Sequence, residues 1–283
     1  MARRLLRLLL TILVAYVVAL CIIRMFESRF IFFPNDPGRL EGDWNPSGLP
    51  VENVWLKTAD GVKLHAWWIG ADGAAFTFLA FHGNAGNIAD RADIYRFLHE
   101  LPASVLAIEY RGYGRSEGSP SETGLYRDAE AGYSYLTRDK SIDPREIISY
   151  GQSLGTGVAA HLAAERRVGG VVLEAPFPSL SAMAQKVFWF LPGANLLVWR
   201  QFDTARRLKS INAPLLVVHC TRDPVIPPEM GERVFAAAPG PKSILRIDGD
   251  CHEEAALISP QPYRDRLRAF LNEIASHSAP RQN

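Results

Sequence analysis

Three residues have the types and the order needed for nucleophilic acyl chemistry: Ser153, Asp223 and His252. A serine hydroxyl is a weak nucleophile until a neighbouring base takes its proton, and an imidazole does this near neutral pH. A carboxylate behind the imidazole holds its tautomer and stabilises the imidazolium. Ser153 is the centre of Gly151-Gln152-Ser153-Leu154-Gly155, Asp223 lies in His219–Pro227, and His252 lies in Asp248–Glu254. Taken singly, each has an ordinary explanation. Small-residue turns produce Gly-x-Ser-x-Gly by chance, aspartate before proline is frequently a turn residue, and a histidine in a polar loop is usually solvated. The order serine, then aspartate 70 residues on, then histidine 29 further on, is one of three common triad orders and separates this chain from the other two.

The local sequence supplies the elements that must position them. Ile147 and Ile148 read as a strand leading into the serine, and Val158–Arg166 reads as a helix leading away. Gly151 and Gly155 flank a bend that side chains would crowd. The serine is expected to be strained, with its oxygen lifted clear of the sheet. The helix behind it offers free N–H groups and a positive dipole end. His82-Gly83-Asn84-Ala85-Gly86-Asn87 follows an apolar strand at 76–81, and the Asn84 and Leu154 N–H groups are expected to form a two-donor oxyanion hole. His82 comes too early in the chain to be the base and is expected to brace its loop.

Strands are expected at 54–57, 64–69, 76–81, 105–108, 147–150, 171–173, 215–218 and 244–247. Helices are expected at 88–101, 121–138, 156–166, 228–238 and 262–275. Continuous apolar strands alternating with helices argue for a mostly parallel sheet covered on both faces. Ligands bind such sheets at the carboxyl ends of strands, where each of the three residues falls.

Outside this unit, residues 8–23 carry no charge. With Leu5, Leu6 and a snorkelling Arg7 the run reaches 19 residues, or about 28 Å of helix, close to the hydrocarbon thickness of a bilayer. A cleaved signal peptide fits less well, because the run is long and no Ala-x-Ala follows it. Arg3, Arg4 and Arg7 place the N-terminus in the cytoplasm and the catalytic domain on the non-cytoplasmic side. The alternative is a secreted or periplasmic domain released by cleavage. The expected division is an anchor at 1–24, a Pro/Gly-rich linker with little capacity for helix at 25–50, and one domain at 51–278. Phe30–Phe33 either meet the membrane interface or pack on the domain. The net charge of +1 gives no reason to expect a nucleic-acid partner, and three cysteines without a Cys-x-x-Cys pair do not suggest zinc. The sequence does not give the oligomeric state.

The stretches His82–Asn87, Tyr110–Ser116, Gly151–Gly155, Glu174–Phe177, Asp223–Pro227 and His252 together resemble the α/β-hydrolase-fold serine hydrolases. The resemblance is to the small-lid, membrane-anchored α/β-hydrolase-domain group that includes depalmitoylating and lipid-cleaving esterases. It covers about residues 51–275. It implies an α/β-hydrolase fold, Ser153 as nucleophile, Asp223 as acid, His252 as base, and neither metal nor organic cofactor. The family usually has glycine or another small residue where Cys220 stands, and often glycine or aspartate where Cys251 stands. These two either form a disulfide between the acid and base loops or are independent buried thiols.

A short lid is expected at about 177–212, rich in Leu180, Met183, Val187, Phe188, Trp189, Phe190, Leu191, Leu196, Leu197, Val198 and Trp199. It reads as an apolar pocket wall, a lipid-touching surface, or packing on the sheet. The implied activity is hydrolysis of carboxylic esters or thioesters, with acyl or lipid substrates. The alternatives are a peptidase on the same fold, with Arg111, Arg115 or Arg222 holding a carboxylate, and a non-catalytic membrane-tethered binding protein.

Overall fold

The computed structural model describes residues 2–190, 198, 199 and 201–278. Its centre is one sheet of eight strands: β1 (Val51–Lys57), β2 (Lys63–Ile69), β3 (Thr77–Phe81), β4 (Ser104–Ile108), β5 (Ile147–Gln152), β6 (Gly170–Glu174), β7 (Leu215–Cys220) and β8 (Lys242–Ile247). They lie in the order β1-β2-β4-β3-β5-β6-β7-β8. β2 is antiparallel to both of its neighbours, and β4, β3 and β5 to β8 run parallel.

Strand side chains alternate between faces, so a strand buried on both sides must be apolar throughout. Leu79, Leu106, Val171 and Val217 enter one core, while their neighbours Phe78, Val105, Val172 and Val218 enter the other. The first core is covered by α4 (Glu122–Ser134), α5 (Leu154–Glu165), α7 (Thr204–Leu208) and α8 (Pro228–Ala237). The second is covered by α3 (Ala92–His99), α9 (Ala255–Ile258) and α10 (Pro260–Ser278). This is the α/β-hydrolase fold.

Some elements depart in detail from the pattern expected of the sequence. The 88–101 segment opens as a 3-10 turn, Ile88–Arg91, capped reciprocally by Asn87 and Asp90, before α3 begins. The 121–138 helix is α-helical only to Ser134 and then widens into a π turn over Tyr135–Asp139.

The N-terminal part holds the larger difference. α1 (Ala2–Met25) contains a stretch, Ala2–Ile22, long and apolar enough to cross a membrane. One residue later α2 (Glu27–Ile31) begins, within the stretch expected to lack helix. A five-residue helix has almost no stability of its own. α2 exists because Ile31, with Phe32 after it, is buried in the first core. Of the two fates considered for Phe30–Phe33, Ile31 and Phe32 pack on the domain while Phe30 is 66% exposed. The Pro/Gly-rich chain beyond lies along the domain, with Gly86 N–H donating to the Asp36 carbonyl (2.8 Å) and Asn87 Nδ2 to the Glu41 carbonyl (2.8 Å).

Between β6 and β7 the chain forms α6 (Leu180–Val187), capped at Ser179, and Gln201 and Phe202 lead into α7. Leu191, Leu196 and Leu197, expected in this insertion, lie outside the described residues.

Candidate active site

β5 delivers Ser153, which takes φ +49° and ψ −117° before α5 starts. A non-glycine residue there is strained by about 1–3 kcal/mol and must be held by its surroundings. Its N–H donates to the Glu174 carbonyl at 3.0 Å, and its own carbonyl accepts from Thr156 N–H (3.0 Å) and Thr156 Oγ1 (2.6 Å). The flanking glycines are obligatory on steric grounds. A Cβ on Gly151 would lie 2.3 Å from the Gly155 carbonyl oxygen, and one on Gly155 would lie 2.1 Å from the Phe81 carbonyl oxygen.

Three loops leave the carboxyl ends of β3, β7 and β8 and converge on this serine. Ser153 Oγ is 2.9 Å from His252 Nε2, and His252 Nδ1 is 2.8 Å from Asp223 Oδ2. Asp223 does two jobs. Oδ1 accepts the N–H groups of Val225 and Ile226, each at 2.8 Å, which makes the turn around Pro224. Oδ2 faces the His252 imidazole and, from farther off, that of His219. Burial by itself would raise the Asp223 carboxyl, but hydrogen bonds from His219 and His252 outweigh it and hold the group well below the usual carboxylate range. Burial would lower the His252 imidazole. The hydrogen bond and charge of Asp223 outweigh that, and its pKa is raised above the ordinary 6.5.

Asn84 and Leu154, whose N–H groups are expected as oxyanion donors, line the same cavity as Ser153. Among the described residues neither N–H donates to another group. His82 is fully buried against Glu109 (3.2 Å) and bonds the Gly83 carbonyl through Nδ1 (2.8 Å). Its ring packs on Tyr110 and Tyr113. It braces the loop, as expected.

Two supporting residues were not singled out from the sequence. His219 Nε2 faces the Ile226 carbonyl at 3.0 Å and Asp223 Oδ2 at 3.3 Å. A carbonyl only accepts, so Nε2 carries the proton and gives Asp223 a second donor. A His-x-x-x-Asp spacing at a strand end was the available signal. Glu174 lies beneath the serine. Its Oε2 accepts Tyr150 Oη–H (2.5 Å), Tyr263 Oη–H (3.2 Å) and Gln152 Nε2–H (3.2 Å). Among the described residues Oε1 has no partner, and burial pushes the carboxyl up to about 7. Gln152 Nε2 also donates to the Glu253 carbonyl at 3.2 Å, next to His252. Nothing in the sequence marked Glu174 as buried.

Cys220 and Cys251 are joined in a disulfide, with Cα atoms 5.7 Å apart. It links the start of the Asp223 loop to the residue before His252.

The cavity over Ser153 has a volume of about 480 Å³. Its walls are Phe177 and Ile226 from the sheet side, Leu180, Met183, Val187 and Phe188 from the insertion, and Glu27, Phe30 and Ile31 from α2. The α2 wall was not foreseen. None of Arg111, Arg115 and Arg222 lines the cavity. Arg111 pairs with Asp60 and Asp128, Arg222 with Asp248 and Asp250, and Arg115 lies over the Trp44 ring.

A family model for the alpha/beta hydrolase fold matches residues 77–195. The chain is also 32% identical, over 88% of its length and 89% of the relative's, to the alpha/beta hydrolase domain-containing protein WAV2 of Arabidopsis thaliana. The chain belongs to the α/β-hydrolase family. This α/β-hydrolase is 33% identical to an uncharacterized membrane protein of Saccharomyces cerevisiae, over 80% of this chain and 81% of the yeast protein. Among solved structures it is similar in fold to the Pyrococcus furiosus esterase Pf2001, with a TM-score of 0.69 at 22% identity, covering 86% of this chain and 99% of the esterase.

Proposed function

We propose that this α/β-hydrolase is a membrane-anchored serine hydrolase that cleaves carboxylic ester or thioester bonds of acyl substrates. The observation that carries the reading is the unbroken chain Ser153 Oγ, His252 Nε2, His252 Nδ1, Asp223 Oδ2, with both links under 3 Å. His252 takes the Ser153 proton as Oγ attacks the carbonyl carbon. The Asn84 and Leu154 N–H groups receive the oxyanion. The C–O or C–S bond then breaks, and the leaving alcohol or thiol takes the proton from His252. The resulting acyl-enzyme is hydrolysed by water activated by the same imidazole. No step calls on a metal or organic cofactor.

The apolar cavity favours an acyl group as the part of the substrate that is bound. Arg111, Arg115 and Arg222, the carboxylate anchors the peptidase reading calls on, are occupied elsewhere. Residues 1–24 serve as the anchor, 25–50 as the connection and 51–278 as the catalytic domain. Arg3, Arg4 and Arg7 keep the N-terminus in the cytoplasm and the domain on the other side. The Cys220–Cys251 disulfide fits an oxidising compartment there.

The test is hydrolysis of p-nitrophenyl esters from acetyl to palmitoyl by the full chain in detergent, beside Ser153→Ala. The expected result is activity lost by about 10⁴-fold or more in the variant, with covalent labelling of Ser153 by a fluorophosphonate. Absence of both labelling and Ser153-dependent ester cleavage would sink the reading in favour of a binding role. Cleavage of aminoacyl anilides in preference to esters would transfer it to the peptidase.

A further inference from the structure

We infer that the rim of the active-site cavity docks on the bilayer itself, so that an acyl chain passes from the lipid into the cavity without crossing water. The substrate route rests on the ester-hydrolase reading; the docking does not.

Only Phe26 separates the end of α1 from α2, so α2 begins where the membrane-length helix ends. α2 is at the same time a wall of the cavity that holds Ser153. The mouth of the site is thus tied to the end of the span by a few residues, with no spacer to carry it into bulk water. The lid is tied to the same point, because Glu27 Oε1 accepts the Trp199 N–H at 2.8 Å.

The side chains at this mouth are those that prefer the membrane interface. Trp189 is 81% exposed, Trp199 69%, and Phe30 and Phe190 about as much. The Trp189 and Phe190 rings meet edge to face rather than folding onto the domain. Large aromatic side chains this exposed, next in sequence to the cavity-lining Phe188 and Val198, mark an interaction surface. Tryptophan and phenylalanine placed beside a span end lie at headgroup depth, with the indole N–H wet and the ring in the acyl boundary. One wall of the rim continues inward as apolar surface, through Phe188 and Val187 to Leu154 beside Ser153. An acyl chain leaving the bilayer there exchanges one apolar surround for another, and burying each methylene in the cavity replaces what it leaves.

The experiment uses the full chain reconstituted in phosphatidylcholine vesicles. Two esters are compared, water-soluble p-nitrophenyl butyrate and bilayer-resident 4-methylumbelliferyl palmitate. The double variant Trp189→Glu, Phe190→Glu places charges on the rim at residues that do not line the cavity. The expected result is a loss of about tenfold or more on the palmitate, with butyrate hydrolysis within about twofold of wild type. Equal losses on both esters, or no loss on either, overturn the route. Docking is read separately from quenching of tryptophan fluorescence by lipids brominated in the acyl chain. Wild type is expected to be quenched more than Trp189→Phe, whether or not either ester is cleaved. Equal fractional quenching overturns the docking, as does a wild-type dimer that the double glutamate variant converts to monomer. If no ester is cleaved in a Ser153-dependent way, the hydrolase reading and the route fall together, and the quenching still decides the docking.

Discussion

The backbone N–H of Phe33 donates to the carbonyl of Asn84 at 2.9 Å, so the chain emerging from the membrane-length helix holds the loop proposed to receive the oxyanion. The contact is reinforced on both sides. Asn84 Nδ2 donates to the Ile31 carbonyl at 3.1 Å, and Phe33 bridges to Ala85. Tyr113 Oη–H takes the Asn84 carbonyl from the other direction at 2.8 Å. Residues 31–33 are therefore part of the site's support and not a mere tether.

It follows that the point of truncation decides whether a soluble form is active. Deleting residues 1–25 leaves α2 and the Phe33–Asn84 contact in place. Deleting residues 1–42 removes Ile31 and Phe32 from the core as well. The longer deletion is expected to cost about 3 kcal/mol or more of stability, from lost burial and the cavity left behind. It is also expected to lower kcat on p-nitrophenyl butyrate by about 10- to 100-fold, as a displaced oxyanion donor does. Melting curves and kcat for the two deletions check this. Equal kcat in both would show that residues 31–33 do not position Asn84.

In the proposed mechanism the protonation of His252 sets the acid limb of the pH–rate profile. The base must be neutral to accept the Ser153 proton, and its pKa is raised because the Asp223 contact outweighs burial. Activity is therefore expected to fall as pH drops through a midpoint above 6.5. Asp223→Asn removes the charge, so the midpoint moves down while kcat falls by about 10⁴-fold. The profile of kcat/KM against pH for both proteins checks this. A midpoint at or below 6.5 that Asp223→Asn leaves in place would rule out the coupling.

Much of this was readable in the sequence, for physical reasons that also mark where reading stops. β3, β5, β6 and β7 were legible because a strand buried on both faces must be continuously apolar, and each stands between turn residues. The order of Ser153, Asp223 and His252 could be read because each follows a strand, Ser153 after β5, Asp223 after β7 and His252 after the less buried β8. α2 could not be read, since its stability is tertiary and its five residues carry no helical period. Glu174 was equally hidden. A glutamate at a strand end looks like a surface residue until Tyr150 and Tyr263, 24 residues before it and 89 after it, are brought against it. The two cysteines stood in the sequence as either a bond or two thiols, and only the pairing of β7 with β8 brings them together.

The disulfide gives a third expectation. It closes a sequence separation of 31 residues, for which chain entropy predicts about 3–4 kcal/mol of stabilisation. Because its ends flank Asp223 and His252, loss of the bond should loosen the distance between acid and base as well as the fold. Cys220→Ser with Cys251→Ser is expected to lower the urea midpoint and to reduce kcat more than it changes KM. Denaturation and kinetics of the double variant, beside wild type with and without reductant, check both parts. Reductant that leaves the wild-type midpoint unchanged would contradict the expectation.

The Glu174 carboxyl is buried at the end of β6, where the residue's backbone carbonyl holds the Ser153 N–H. Glu174 keeps its proton in the fold up to about 7, because it is fully buried and its hydrogen bonds only partly offset the loss of solvent. In the unfolded chain it ionises near the ordinary 4.5. Between those values the unfolded state binds fewer protons than the folded one, so stability falls as pH rises. The difference amounts to about 2–3 kcal/mol. Glu174→Gln keeps the shape and an accepting oxygen for the two tyrosines but removes the titration. The variant should therefore gain on wild type as pH rises, its relative stability at about pH 8 exceeding that at about pH 5 by on the order of 2 kcal/mol. Urea unfolding of both proteins at the two pH values measures this. A variant whose deficit or gain is the same at both would mean that Glu174 ionises in the fold as it does in water, and that the cluster under Ser153 is charged at neutral pH.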